Sequence, residues 1–129
     1  MATVVALPST FPGGLDAEPS DHFGQCDLYT LVTVDGERVE DVRTLPNPPH
    51  GQGGCLAPVN LLATNGVNIL IAEGMGMRPL SGFDQAGIMV LHGGGKRTVR
   101  EAVSALVTGQ LQRFAQNNVC GGSHGGGCH

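Results

Sequence analysis

Hydrophobic and polar positions divide the chain into short apolar runs and segments with helical spacing. Three apolar runs bounded by turn residues predict buried strands: Thr3–Leu7, Val67–Ala72 and Ile88–Leu91. Leu28–Val34 is rich in β-branched residues and predicts a further strand. The dipeptide Asp35-Gly36 then predicts a hairpin turn, so Glu37–Thr44 is interpreted as the returning, more exposed strand. Pro8 is expected to end the first strand.

Three segments have the spacing or end signals of helices. Leu56–Asn65 carries apolar residues at helical spacing and closes at Gly66, and Pro79–Ala86 ends at Gly87. Thr98 and Glu101 have the spacing of a capping box, which predicts a helix from Thr98 to Leu106 or Val107. An extension over Leu111–Phe114 is left open at this point.

The order of these elements is strand, hairpin, helix, strand, helix, strand, helix. Apolar strands that alternate with helices indicate a mainly parallel sheet covered on both faces, to which the hairpin adds antiparallel pairing. The sequence therefore predicts a three-layer α/β fold around a mixed five-stranded sheet. We expect one domain over residues 1–115, followed by a flexible tail over residues 116–129 that is rich in Gly, Cys and His.

Composition narrows the function classes. Charged residues make up 14% of the 129 residues and the net charge is −4, with only 7 Lys and Arg. No basic stripe is present to neutralise phosphates, so nucleic-acid binding is disfavoured. The N-terminus lacks a basic region and no apolar run approaches the ~20 residues that span a membrane, which leads us to expect a cytoplasmic protein without membrane contact. In a reducing compartment, the four cysteines are expected to be thiols or metal ligands.

Glycine clusters mark the expected site. In an open α/β sheet, ligands bind at the carboxyl ends of parallel strands. Gly74-Met75-Gly76 follows one predicted strand, and His92 with its three following glycines comes at the end of the next. Exposed backbone N–H groups in such loops favour an anion. The alternative is that Gly74 and Gly76 only form a tight turn.

Further candidate ligands lie in other loops. His22-Phe23-Gly24 precedes the second predicted strand, and His50 lies in a proline- and glycine-rich loop. Each histidine, like His92, could instead be an ordinary solvated or hydrogen-bonded side chain. Cys55 precedes a predicted helix, where the helix dipole favours a thiolate; its alternative is a small buried hydrophobe.

The tail contains a second group of potential metal ligands. These are Cys120, His124, Cys128 and His129, separated mainly by glycines. Thiolate and imidazole bind soft or borderline metals, and four of them could complete a tetrahedral shell. Their spacing matches no structural zinc-finger pattern, and the glycine linkers favour a transient or chain-bridging site. The alternative is an unstructured tail without a metal.

The motifs at residues 20–24, 47–51 and 74–76, followed by the capping-box helix, give the chain a family resemblance. In this order the chain resembles the dinitrogenase iron–molybdenum cofactor biosynthesis family, which includes nitrogenase accessory cluster carriers and the molybdenum–copper orange protein. The resemblance covers about residues 1–110. It implies a ribonuclease-H-like α/β fold and binding of a preformed metal–sulfur cluster by a non-catalytic protein.

The resemblance also implies which residues contact the cluster. His22 corresponds to the suspected cluster contact, His50 to the histidine before the first helix, and Gly74–Gly76 to the glycine turn. Cys55 and His92 lie near these motifs without being carried over as family ligands. The basic residues Arg78, Lys96 and Arg97 would offset the charge of an anionic cluster.

Three function hypotheses follow. The first is a protein that binds, stores or delivers a molybdenum–copper or iron–molybdenum sulfide cluster, with a maturation ATPase or an apo-enzyme as acceptor and a homodimer left open. The second is an interaction or regulatory module whose Cys/His tail binds metal together with a partner ATPase. A nuclease is disfavoured, because two-metal nucleases need converging carboxylates and Thr3–Leu7 contains none, while Asp27 stands alone.

Overall fold

The computed structural model describes residues 2–20, 26–47, 57–74, 77–93 and 95–113. Its strands are β1 (Ala2–Ser9), β2 (Leu28–Asp35), β3 (Arg38–Pro46), β4 (Ile69–Ala72), β5 (Met89–His92) and β6 (Gln112–Arg113). Its helices are α1 (Ala57–Thr64), α2 (Met77–Ala86) and α3 (Val99–Val107). None of these helices has the length and apolarity needed to cross a membrane.

The described strands form one mixed sheet in the order β3-β2-β1-β4-β5-β6. The pairs β1/β4 and β4/β5 are parallel, whereas β1/β2, β2/β3 and β5/β6 are antiparallel. The predicted α/β class and mixed sheet are confirmed, and β6 is a sixth strand in addition to the five predicted. The prediction of a mainly parallel sheet is matched only in part, because the hairpin and β6 contribute three antiparallel pairings.

Two apolar clusters cover the two faces of the sheet. Val59 and Leu62 of α1 and Phe83 of α2 pack with Leu31 and Leu70 on one face. On the other face, α3 packs against alternate residues of the same strands, which include Val5, Val32 and Ile71. Because successive side chains of a strand point to opposite faces, each strand supplies both clusters, which makes the three layers that the sequence predicts.

Strand β1 continues one residue beyond Pro8, where the sequence had predicted its end. Pro8 pairs with Tyr29 of the antiparallel neighbour β2, whereas the parallel pairing with β4 involves only Val5 and Ala6. A proline without an N–H is tolerated here because it lies beyond the paired part of β4.

The hairpin turn is displaced by one residue from the predicted dipeptide. Asp35 pairs with Arg38, so the two turn residues are Gly36 and Glu37. Gly36 has φ 63° and no other residue than glycine has a positive φ among those described, a pattern typical of a type II′ turn.

Gln112 and Arg113 after α3 form a strand, which corrects the helical extension considered at Leu111–Phe114; Phe114 itself lies outside the described residues. Thr108 caps the helix C-terminus, and its hydroxyl donates to Ser104 O at 2.9 Å. Gln112 and Arg113 then pair antiparallel with His92 and Leu91. A two-residue edge strand has too little sequence to show a period, so pattern alone could not identify it.

The capping residues of α3 agree with the predicted N-terminus. The Thr98 hydroxyl accepts a hydrogen bond from Glu101 N–H at 3.1 Å, as a capping box requires. Glu101 Oε1, however, accepts from Arg97 N–H at 3.4 Å. The cap therefore holds the backbone N–H of Arg97 as well as the first turn of the helix.

We expect Thr98→Ala to lower the free energy of unfolding by about 1 kcal/mol, because Glu101 N–H loses its partner. Chemical denaturation measures the change. Thr98→Ser retains the hydroxyl and is the matched control, which should lose much less. Equal losses for the two variants would contradict a role for the hydroxyl.

Candidate functional site

The carboxyl edge of the parallel strands gathers the ends of several loops. Strands β1, β4 and β5 end there at Ser9, Ala72 and His92. Because β2 is antiparallel to β1 and β3 to β2, the start of β2 and the end of β3 lie at the same edge, where Leu28 pairs with both Ser9 and Pro46. We call this side of the sheet the carboxyl edge.

The side chain of Asn47 connects the end of β3 to the start of β2 at the carboxyl edge. Its side-chain Nδ2 donates to Cys26 O at 2.9 Å, and its Oδ1 accepts from the Tyr29 hydroxyl at 3.1 Å. Cys26 and Tyr29 are themselves buried in the core cluster on the α1/α2 face. The position of Asn47 after β3 is therefore fixed relative to the residues that lead into β2.

A second group of hydrogen bonds holds the loop after β1 against the carboxyl edge. Ser9 and Thr30 are fully buried, and the Thr30 hydroxyl donates to Ser9 Oγ at 2.9 Å while accepting from Gly14 N–H at 3.2 Å. Ser20 N–H donates to Pro8 O at 2.8 Å. Both ends of the loop are thus anchored, so the loop has a defined place beside the strands.

The side chain of Glu73, which follows β4, is hydrogen-bonded to the segment after β5. Its Oε1 accepts a hydrogen bond from Gly95 N–H at 2.8 Å. Its carboxylate also lies over Gly93, where an added Cβ would collide with Glu73 Oε2 and come within 3.0 Å of Glu73 Cδ. Gly93 is therefore a position where the absence of a side chain makes room for the carboxylate.

The Glu73 carboxylate faces an open, polar cleft of about 380 Å³. The cleft is lined by Glu18, Pro19, Glu73, Gly95, Lys96 and Arg97. Lys96 is half-buried and Arg97 is exposed. We call it the Lys96–Arg97 cleft; its volume is in the range of small-molecule sites, at ~300–1,000 Å³.

Two of the candidate ligands predicted from the sequence are described by the structure, together with the predicted basic residues Lys96 and Arg97, whereas the side chain of Arg78 lies outside the description. His92 is the half-buried last residue of β5, and Gly74 lies two residues beyond Ala72 on the neighbouring strand. Strand alternation places His92 on the same face as Val90, which packs against α1 and α2. The Lys96–Arg97 cleft, with Glu73, lies on the α3 face, so His92 and the two basic residues are on different faces of the sheet.

The remaining candidates lie outside the described residues: His22, Phe23, Gly24, His50, Cys55, Met75, Gly76, Cys120, His124, Cys128 and His129. What the structure does describe is the residues that flank several of them. Ser20 and Cys26 precede and follow the segment with His22, Asn47 precedes that with His50, and Gly74 precedes Met75. These four flanking residues all lie at the carboxyl edge.

Within the described ranges, no three His, Cys, Asp or Glu side chains come together as ligands of one metal ion. Cys26 is the buried thiol of the described part, and it packs in the core cluster on the α1/α2 face.

Sequence reasoning missed the roles of two residues that organise the site. Glu73 had a usable signal, since it directly follows a buried parallel strand, where functional side chains of α/β proteins often lie. Asn47 belongs to the motif at residues 47–51, but no local signal indicated its bonding role, because its partners Cys26 and Tyr29 are about twenty positions away and only the hairpin brings them together.

Comparison with known proteins adds a family assignment to this geometry. The family model described as dinitrogenase iron-molybdenum cofactor matches residues 1–109. An uncharacterised protein of Methanocaldococcus jannaschii is 28% identical over 99 residues, which cover 74% of this chain and 81% of that protein.

Solved structures agree with the family model. The apo form of the orange protein from Desulfovibrio gigas is 25% identical with a TM-score of 0.73, covering 88% of this chain and 93% of that one. A Thermotoga protein provisionally described as a NifB protein is 29% identical with a TM-score of 0.70, covering 88% of this chain and 97% of that one.

We expect Gly93→Ala to destabilise the protein by about 1–2 kcal/mol, because the new Cβ displaces the Glu73 carboxylate and breaks its bond to Gly95 N–H. In a Glu73→Ala background the same change should cost much less. Denaturation of the four proteins of this double-mutant cycle measures the coupling. Additive losses would show that Gly93 and Glu73 act independently.

Proposed function

This chain belongs to the dinitrogenase iron-molybdenum cofactor family, and we propose that it binds a preformed metal–sulfur cluster at its carboxyl edge and passes the cluster to an acceptor protein. The cluster is cargo of the molybdenum–copper or iron–molybdenum sulfide type. The protein itself catalyses no reaction in this proposal, and it works in the cytoplasm. A maturation ATPase or an apo-enzyme would be the acceptor.

One structural observation carries the proposal. The described residues that flank the segments with His22, His50 and Met75 lie together at the carboxyl edge. Two of these flanking residues, Asn47 and Cys26, are hydrogen-bonded to each other. Segments that start at one edge of a sheet have a limited reach, which allows their donors to approach a single ligand. The family match over residues 1–109 includes all three segments.

The chemistry of these donors fits a metal–sulfur cargo. Imidazole, thioether and thiolate are ligands for soft and borderline metals, and the three segments supply His22, His50, Cys55 and Met75. Backbone N–H groups in glycine-rich loops can donate to the sulfides of an anionic cluster. A few such contacts can bind the cluster without the closed ligand shell of a structural metal site. Because the shell stays incomplete, the cluster can later be released.

Similarity to the orange protein, a member of the same family, supports this class of cargo. The Desulfovibrio gigas protein is similar over 93% of its length and over 88% of this chain. The family name itself refers to the iron–molybdenum cofactor. The proposal leaves the identity of the metal to experiment, and reconstitution with different metals decides it.

We expect protein reconstituted anaerobically with tetrathiomolybdate and copper to acquire a visible absorption band and stoichiometric metal. His22→Ala should lower the metal content up to about fivefold at a cluster concentration below the Kd, because it removes one donor of about 1 kcal/mol. Elemental analysis after gel filtration measures the content.

Ser104→Ala, a change on the exposed side of α3, is the control for handling and should load as the unmodified protein does. Unfolding curves of both variants establish that each is folded. Normal loading of His22→Ala would remove this residue from the site, and absence of colour and metal in the unmodified protein would refute the proposed cargo.

The Cys/His-rich segment favours a second function, because it lies beyond residue 109, where the family match ends. Cys120, His124, Cys128 and His129 could bind a metal together with a partner ATPase, so that the chain serves as an interaction module. Such a role is compatible with cluster binding at the carboxyl edge.

Deletion of residues 120–129 separates the two functions. We expect the shortened protein to load cluster normally and to lose metal-dependent binding to its partner, as measured by co-purification from its host with and without chelator. Loss of cluster loading on deletion would instead assign the tail to the cargo site.

A further inference from the structure

We propose that the Lys96–Arg97 cleft is a binding site for a tetrahedral dianion of the thiomolybdate or molybdate class, and that Glu73 is a built-in competitor for that ligand. The choice of this ligand class rests on the proposed function. The site itself is inferred from the cleft and its charges. It lies on the α3 face, whereas His92 lies on the α1/α2 face, so the cleft is distinct from that candidate ligand.

Two cationic side chains on one wall of the cleft provide the attraction. Among the residues that the structure describes, neither the Lys96 amine nor the Arg97 guanidinium has an ion-pair or hydrogen-bond partner. Arg97 N–H is held by Glu101 Oε1, so the backbone that presents these cations is fixed while their charges remain available. A dianion between them would gain two opposite charges and charge-assisted hydrogen bonds.

Glu73 occupies the place of an anion in the same cleft. Its carboxylate accepts the hydrogen bond from Gly95 N–H at 2.8 Å, and Gly95 directly precedes Lys96. A backbone N–H followed by two cations is an anion-binding arrangement, and here the chain supplies its own carboxylate to it. An entering dianion must compete for Gly95 N–H and must overcome repulsion from Glu73.

The second carboxylate of the cleft has a different position. Glu18 is exposed, and it lies on the wall formed by the loop after β1, whose backbone is anchored through Thr10 N–H to Glu18 O at 3.0 Å. Its charge lowers the affinity for an anion, but it holds no N–H of the segment with Lys96. Glu73 is therefore the residue whose neutralisation has the larger effect.

Competition of this kind makes binding reversible. Without Glu73, the cleft would hold a dianion with two cations and a backbone donor; with Glu73, each bound anion displaces a carboxylate that can return. The ligand is therefore held more weakly than the cations alone would hold it, which suits a protein that takes up and releases an inorganic anion.

The test compares tetrathiomolybdate binding by the full-length protein and its charge variants, using anaerobic equilibrium dialysis with molybdenum analysis. Glu73→Gln retains an oxygen that can accept from Gly95 N–H and removes only the charge. We expect it to bind about tenfold more tightly than the unmodified protein, because one nearby like charge is gone. Joint replacement of Lys96 and Arg97 by Gln should weaken binding by at least about tenfold.

Asp84→Asn is the matched control, since it removes one negative charge from an exposed position of α2, on the opposite face of the sheet. Its affinity should stay within about twofold of the unmodified protein, because surface charges farther apart than ~10 Å are screened. If Asp84→Asn tightens binding as much as Glu73→Gln does, net charge accounts for the effect and the cleft is not the site.

The direction in which Glu73→Gln changes the affinity for tetrathiomolybdate shows whether Glu73 competes with the anion or only positions the loop. If the protein binds tetrathiomolybdate and Glu73→Gln binds it no more tightly, the competitor role is overturned while the proposed function stands. If the protein binds no sulfide-containing metal at all, the proposed function fails. In that case molybdate, which is also a tetrahedral dianion, tests the cleft alone, through the NMR shifts of the backbone amides of residues 95–97. If molybdate causes no shift of these amides in the Glu73→Gln variant, the proposed site is overturned.

Discussion

Polar groups at the ends of buried strands have to be paired, and the carboxyl edge is organised by this requirement. A buried donor or acceptor without a partner costs about 1–3 kcal/mol. Here side chains supply the partners: Asn47 for Cys26 O and the Tyr29 hydroxyl, Thr30 for Ser9 and Gly14. The segment with His22 ends at Cys26 and the segment with His50 begins after Asn47, so the contact between Asn47 and Cys26 fixes one end of each segment.

The two faces of the sheet give the carboxyl edge two chemically different sides. On the α1/α2 face, Cys26 directly follows the segment that contains His22, and His92 ends β5. On the α3 face, Glu73, Lys96 and Arg97 form a charged cleft. Strand alternation produces this separation directly, because Ile71 and Leu91 belong to the α3 face and Leu70 and Val90 to the other.

The sequence was informative wherever a local pattern decides the structure. The capping box at Thr98 identified the start of α3, and the apolar runs identified β4 and β5, because periodicity and caps depend on neighbours a few residues away. Pro8 was misread as a strand end, since whether its missing N–H matters depends on how far β4 extends beside it. β6 was missed because two residues form a strand only through their partner β5.

The candidate site was predictable to a similar extent. Its place at the carboxyl ends of β4 and β5 follows from topology, which alternating strands and helices already indicate. The bond from Gly95 N–H to Glu73 joins residues 22 positions apart, and the room for it exists only because position 93 is glycine. No spacing rule predicts such a pair, because its geometry is created when β4 and β5 align in parallel register.

Net charge and local charge act on different scales in this molecule. The chain carries −4 overall, which repels an anion at a distance. Screening at physiological salt restricts such effects to about 8 Å, so contacts at the carboxyl edge decide whether an anionic cargo binds. Two cations and a backbone donor in one cleft provide local attraction, and Glu73 limits it. The proposed carrier role needs both, because a site that binds its cargo too firmly cannot pass it on.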